Sequence, residues 1–289
     1  MKKLLSFILV ILLAFACFTA CTPLENEPDA NATATPATTD EATGLTITGW
    51  SSLNGLSAAY QSGTTAEGKI TELNETGSIT CTAYPNEDMA VCFSMLANNE
   101  VQTVVCDQAV AEDFCAKNPD KYQVAWIQED SPEEFAIAVP KGTSTDLLAA
   151  INEAMDELRA EGFLDKLHDK WFGSGAEVTM PTEKTVDCKA TLVHEGYFTV
   201  GSEIGYPPYE SYDENNVPVG FDIDLTKAIA IKLGLEVNYV DRAFDTIFSA
   251  MGKDYDVVCA AVTIDDVRKE SMDFSDPYIK NYLAVVVAK

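Results

Sequence analysis

Thr263 and Arg268 place a hydroxyl and a guanidinium group close together in the last third of this 289-residue chain. Thr263 follows an apolar run, 257–262, which predicts a buried strand. Arg268 comes just after Asp265 and Asp266, either of which can cap a short helix. A strand exit followed by a helix start directs both side chains at one spot, where they can hold a carboxylate. The spacing also fits a surface arginine paired with one of the aspartates, so both interpretations stay open.

Two other predicted strands end on polar groups. One ends on Asp107, whose carboxylate can pair with an ammonium group or cap the helix that follows. The other lies within 53–67 and precedes a tight turn at Gly63 and a helix start that Thr64 and Thr65 can cap. The free N–H groups of such a helix start attract an anion. Many strand-to-helix turns share this composition, so the turn alone is a weak signal.

Helices and strands must hold these groups in place. Apolar spacing predicts a helix over 221–233 and helical segments within 143–173. The polar stretch 174–186 between them lacks an apolar period and predicts a connector.

Composition limits the partners and cofactors. The formal net charge of −27 makes nucleic acid and anionic membrane surfaces poor partners. The chain has two histidines and no cysteine pair at metal-binding spacing, so we expect no metal and no cofactor. We expect mostly free, buried thiols, although an even number in an exported chain also permits disulfides. The cysteines beyond the amino-terminal segment are Cys81, Cys92, Cys106, Cys115, Cys188 and Cys259.

The amino terminus is typical of an exported protein. Two lysines, a short apolar run and small residues predict a secretory signal peptide over 1–20. Residues 18–21 resemble a lipobox, which predicts lipidation of Cys21, with Cys17 or simple cleavage near residue 20 as alternatives. Residues 21–44 are rich in Thr, Ala, Pro and acids and predict a disordered tether. We therefore expect an extracytoplasmic protein anchored to a membrane through its lipid.

Several motifs in the last hundred residues resemble the polar amino-acid-binding proteins of ABC importers, which have the type II periplasmic-binding-protein fold. These motifs are 200–210, 219–225, 244–245, 256–268 and 272–278. The resemblance implies an α/β fold of two lobes, each a mostly parallel sheet flanked by helices, with the ligand in the cleft between them. It implies a monomeric binding protein, not an enzyme, that hands an amino acid to an ABC permease in the membrane.

The tail half of the family pattern precedes the head half, and each piece occurs once, which predicts a circular permutation. We expect one covalent crossover between lobes near 134–138, and pairing of 284–287 with the start of the second lobe. A freer hinge would follow. The predicted divisions are the signal peptide (1–20), the tether (21–44), the second lobe (45–133) and the first lobe (134–289), the last comprising tail helices (143–173), a connector (174–186) and a head half (187–289).

The resemblance also implies roles for the polar groups. Arg268 and Thr263 hold the ligand's α-carboxylate, helped by the helix start at Thr65, which follows the turn at Gly63. Asp107 holds the α-ammonium group from the opposite lobe.

The remaining implied contacts concern the ligand's side chain. Tyr206 and Phe244 resemble aromatic walls, although core packing is an alternative for both. Glu203 stands where relatives that bind basic or amide side chains carry Asp, and Gln61 lies in the same cleft. Ala261 replaces a hydroxyl or glycine residue common there. We expect a polar or cationic amino acid.

Two other functions remain open on this fold. A cyclohexadienyl-dehydratase-like enzyme would need a general acid in the cleft, for which Glu203 is the candidate. A ligand-sensing receptor domain would use the same site with a different partner. A neighbouring permease gene, or turnover of prephenate, would discriminate between these functions.

Overall fold

The structure, a computed structural model, describes residues 44–289. The predicted signal peptide, lipidation at Cys21 or Cys17, and the tether up to residue 43 lie outside the described residues. None of the helices within 44–289 is both long enough and apolar enough to span a membrane.

Five strands form one sheet, which defines the second lobe. Its elements before the hinge are β1 (Ser57–Gln61), α1 (Thr65–Glu75), β2 (Thr82–Asn86), α2 (Met89–Ala97), β3 (Thr103–Asp107), α3 (Gln108–Lys117) and β4 (Tyr122–Ile127). A short 3-10 helix, Trp50–Leu53, precedes them.

Five other strands form the sheet of the first lobe. From the hinge onward the elements are β5 (Glu133–Phe135), β6 (Ala138–Pro140), α4 (Thr145–Ala160), α5 (Phe163–Phe172), β7 (Tyr197–Ser202), β8 (Ser211–Tyr212), β9 (Pro218–Val219), α6 (Phe221–Leu233), β10 (Glu236–Asp241), α7 (Phe244–Ile247), β11 (Val257–Val258), α8 (Asp266–Ser271), β12 (Met272–Phe274), β13 (Ile279–Asn281) and β14 (Leu283–Ala288). The helix predicted over 221–233 is confirmed by α6.

The strand order is β2-β1-β3-β14-β4 in the second lobe and β10-β7-β11-β6-β12 in the first. Each sheet has four strands in one direction and one against them, β14 in the second lobe and β6 in the first. Polar groups at the ends of β1, β3 and β7 therefore face the space between the lobes.

The last strand does not belong to the first lobe, so the predicted extent of that lobe to residue 289 is wrong. β14 lies in the second lobe's sheet and pairs antiparallel with β3 and β4. Its residues 283–287 are all buried, as a central strand covered on both faces requires. The predicted pairing of 284–287 with the start of the second lobe is wrong for the same reason.

Two chain segments join the lobes, where the sequence predicted one. β5 and β13 both cross between them and pair antiparallel, with Ile279 opposite Phe135 and Asn281 opposite Glu133. The single crossover predicted near 134–138 is therefore wrong, because a second strand returns beside the first. A freer hinge no longer follows, since both connections are covalent.

Local capping explains how the helices at the cleft begin. The Thr64 hydroxyl accepts a hydrogen bond from the Glu67 N–H and caps α1. The Asp265 carboxylate accepts one from the Arg268 N–H at 2.7 Å and caps α8, as the sequence predicted. Gly63 has a φ of +77°, which only glycine adopts readily, so the chain can turn from β1 into α1.

Within the described residues the cysteines are free, and four of the six are buried. This agrees with the expectation of mostly free, buried thiols.

Candidate functional site

A cavity lies between the two lobes. Nine of the ten predicted ligand-binding residues line it, and the tenth, Gly63, contacts Arg268 at its edge. Thr64 and Ala260 complete the lining. The predicted residues in its wall are Gln61, Thr65, Asp107, Glu203, Tyr206, Phe244, Ala261, Thr263 and Arg268.

Arg268 reaches across the cleft from α8. Its Nη1 donates to the Thr263 carbonyl at 2.9 Å, and its Nη2 donates to the Gly63 carbonyl of the other lobe at 3.0 Å. Its Nε lies 3.4 Å from Asp265 Oδ2. Both interpretations of the sequence therefore apply, because the guanidinium pairs with a neighbouring aspartate and also faces the cleft.

The rings of Phe244 and Phe248 pack against the guanidinium group of Arg268. The Arg268 Cζ atom lies 5.4 Å from the centre of the Phe244 ring and 5.7 Å from that of Phe248. Cation–π attraction of this kind fixes the plane of the guanidinium. Burial lowers the pKa of Arg268, but an arginine stays charged at any physiological pH.

Asp107 faces Arg268 from the opposite lobe. It occupies the N-cap position of α3 without a capping hydrogen bond, so its carboxyl group is free to face the cleft. Oδ2 accepts from the Tyr206 hydroxyl and Oδ1 from the Asn281 amide, each at 2.5 Å. Burial, and then the nearby charge of Glu133, raise the pKa of Asp107 to about 7.

Glu203 and Gln61 meet at the end of the cavity, one from each lobe. The Gln61 amide donates to Glu203 Oε1 at 2.5 Å and to the Glu87 carbonyl at 3.0 Å. Burial raises the pKa of Glu203 to about 8, and the hydrogen bond from Gln61 partly offsets it. A carboxyl group of this kind is largely neutral at pH 7 and ionises readily beside a cation.

Ala261 contributes backbone rather than side-chain chemistry. Its φ is +47°, which is uncommon for a residue other than glycine. Its N–H donates to Asp222 Oδ2 at 2.8 Å, and the Tyr278 hydroxyl donates to the same oxygen at 2.8 Å. Asp222 therefore holds the backbone turn that carries Ala260 and Ala261 into the cavity wall.

Two residues on the hinge strands, Glu133 and Asn281, hydrogen-bond to residues of the cavity wall and were not predicted from the sequence. Glu133 Oε2 accepts from the Thr263 hydroxyl at 3.0 Å and from the Asn281 amide at 3.5 Å. Burial raises the pKa of Glu133. Only their position in the crossover between lobes could have indicated them, since neither lies in a motif.

No cluster of three or more His, Cys, Asp or Glu side chains within the described range could hold a metal ion.

Comparison with protein-family models matches residues 32–174 and 198–289 to the bacterial extracellular solute-binding proteins, family 3. This chain belongs to that family. Its members are extracellular or periplasmic binding proteins, and its fold is the type II periplasmic-binding fold, here two mixed sheets flanked by helices. The predicted family and the two-lobed α/β fold class are confirmed, whereas the circular permutation stays a prediction.

Individual relatives match shorter segments. A probable histidine-binding protein of Neisseria gonorrhoeae is 39% identical over 105 residues, which make up 36% of this chain and 39% of the relative. ABC transporter arginine-binding protein 1 of Escherichia coli is 39% identical over 90 residues, 31% of this chain and 37% of the relative. The chain thus spans about two fifths of the length of these curated relatives.

A solved ancestral arginine-binding protein, bound to arginine, is 49% identical over 29% of this chain and 38% of that chain, with a TM-score of 0.29.

Proposed function

We propose that this protein binds an amino acid between its lobes and delivers it to an ABC importer. A polar or cationic side chain is favoured. The protein acts outside the cytoplasm as a monomer, held to the membrane by a lipid on Cys21. It needs no cofactor and catalyses no reaction.

The arrangement of Arg268 and Asp107 is the observation that carries this proposal. A guanidinium from one lobe and a carboxyl group from the other line the same cavity. An α-amino acid presents the complementary pair, a carboxylate and an ammonium group two bonds apart. A ligand held by both lobes stabilises the closed arrangement over an open one.

The rest of the cavity supports a polar or cationic side chain. Glu203 is half-buried beside Gln61 and gains a partner when a cation enters. The rings of Tyr206 and Phe244 line the cavity beside it and can stack against a planar or cationic group.

The order of the segments supports the further proposal of a circular permutation. β14, at the end of the head half, lies inside the sheet made from residues 57–127. The second lobe therefore combines strands from distant parts of the sequence, while residues 138–274 supply the first lobe's sheet.

Calorimetric titration tests the proposed function. The purified full chain is unfolded and refolded to remove any carried-over ligand, then titrated with each of the common amino acids. We expect saturable binding of one chemically related group, polar or cationic. A well-folded protein that binds none of them would contradict the proposal.

Glu203 also favours a second candidate function, a dehydratase on the same fold. A buried carboxyl group with a pKa raised to about 8 is protonated at pH 7 and can act as a general acid. Incubation with prephenate or arogenate distinguishes the two functions. Turnover that is lost in Glu203→Gln would favour the enzyme, and intact substrate would favour binding alone.

A further inference from the structure

Glu133 occupies an unexpected position for an acid in a cleft that is proposed to bind a carboxylate. Its side chain accepts a hydrogen bond from the Thr263 hydroxyl at 3.0 Å. This hydroxyl group is one of the donors assigned to the ligand's α-carboxylate. A negative charge of the protein thus lies beside the carboxylate subsite.

The same carboxyl group also lies beside the ammonium subsite. The Asn281 Nδ2 atom donates to Asp107 Oδ1 at 2.5 Å and to Glu133 Oε2 at 3.5 Å. One nitrogen therefore sits between two acidic side chains, each on a different element. An ammonium group in this place would meet both Asp107 and Glu133.

The charges around the cleft are unbalanced. Asp107 and Glu203 line the cavity and Glu133 hydrogen-bonds to Thr263 of its wall, whereas Arg268 is the one cationic side chain that lines this cavity within the described residues. The Nη atoms of Arg268 already donate to two backbone carbonyls. The cleft therefore favours ligands with more positive than negative groups.

We propose that Glu133 is a specificity-determining residue, which strengthens binding of the ligand's ammonium group and weakens binding of its α-carboxylate. This inference rests on the proposed function, because it assigns a role within the same cleft. The ligands concerned are cationic amino acids and the amines that remain when their α-carboxylate is removed. Glu133 therefore reduces the difference in affinity between a cationic amino acid and its decarboxylated amine.

Substitution of Glu133 separates these effects. An amino acid and its decarboxylated amine share the ammonium group, so loss of the Glu133 charge weakens that contact in both. Only the amino acid carries the carboxylate that Glu133 repels. The ratio of amine to amino-acid dissociation constants should therefore rise by about tenfold or more in Glu133→Gln.

The experiment titrates the refolded full chain with three matched pairs: L-arginine and agmatine, L-lysine and cadaverine, L-histidine and histamine. Glu134→Gln is the matched control, because Glu134 is the exposed neighbour on the same strand. Thermal unfolding establishes that each variant is folded, and Glu133→Met replaces Glu133→Gln if the latter is not.

A ratio that rises in the Glu133 variant and stays unchanged in Glu134→Gln supports the inference. An unchanged ratio in a folded Glu133 variant that still binds overturns it and leaves the proposed function intact. Binding of other amino acids but none of these six probes also overturns this inference alone. Absence of any amino-acid binding overturns both.

Discussion

Burial gives the side chains of Asp107 and Glu203 pKa values near neutral pH. The pKa of Asp107 is raised to about 7 and that of Glu203 to about 8, in each case mainly because burial disfavours the charged form. A cationic ligand reverses part of this effect, since it favours the ionised carboxylate. The affinity for a cationic ligand should therefore rise as the pH increases toward these pKa values.

Glu203 should make the affinity for L-arginine rise with pH. Its pKa is raised to about 8, so at pH 6 it is neutral and must lose a proton to pair with a cation. The ratio of wild-type to Glu203→Gln affinity should increase from pH 6 toward pH 8.5, by up to about tenfold per pH unit below the pKa. Calorimetry at several pH values measures this ratio.

In this ratio the contributions of Asp107 and Glu133 cancel, because both groups are present in the wild type and in Glu203→Gln. Glu195→Gln, at an exposed position of the same lobe, should follow the wild type at every pH. A ratio that stays constant across this range would mean that Glu203 does not contact the cationic group.

At the scale of single elements, the turn between β1 and α1 controls how closely the lobes approach. A Cβ atom on Gly63 would lie 3.2 Å from the Asp245 Cα atom of the other lobe. Gly77 has a similar φ, +70°, but a Cβ there would meet nothing within 4 Å. The two glycines thus share backbone strain and differ in the contact with the other lobe.

Gly63→Ala should weaken ligand binding, whereas Gly77→Ala should not. Both should lose about 1 kcal/mol of unfolding free energy, because alanine is disfavoured at positive φ. Only the Gly63 variant also holds the lobes apart, so we expect its affinity to fall about tenfold or more. Denaturant unfolding and titration measure the two effects, and equal affinities would contradict a role of this turn in closure.

Elements with strong local signals could be predicted from the sequence. α6 has a buried stripe and a glycine past its end, and α8 has an aspartate cap, so both were located correctly. The cleft residues that lie in or beside such elements, including Thr263 and Arg268, came together as expected.

Which strands pair with each other could not be predicted from the local sequence of a strand. β14 reads as a buried apolar strand, but which neighbours it joins depends on residues more than 150 positions away. For this reason the hinge was expected to have one crossover where it has two. Glu133 and Asn281 were missed with it, since they enter the cleft only when β5 and β13 pair.

At the scale of the whole molecule, the proposed permutation predicts that segment order is not essential. A reordered chain, in which residues 187–289 precede 45–186 through a direct join, keeps both hinge strands. We expect its melting temperature and affinity to stay close to those of the original order. If the reordered chain does not fold, linkers of several lengths between residues 289 and 45 are tested. A reordered chain that folds with none of these linkers would contradict the permutation.

The proposed lipid on Cys21 would hold the protein at the membrane. Cys21→Ser should move the protein from the membrane fraction to the soluble extracytoplasmic fraction, because the lipid would no longer be attached. Cys17→Ser should leave it in the membrane fraction. Cell fractionation measures the distribution, and a membrane-bound Cys21→Ser variant would refute lipidation at that residue.

The most direct test of the account is titration of Arg268→Ala and Asp107→Asn with the best ligand of the amino-acid panel. Loss of one partner of a buried, hydrogen-bonded charge pair costs roughly 2–5 kcal/mol, so each variant should bind on the order of a hundredfold more weakly. Arg242→Ala and Asp113→Asn, at sites outside the cavity, should bind like the wild type. If both cleft variants are folded and bind within threefold of the wild type, the ligand is not held between these two lobes by Arg268 and Asp107.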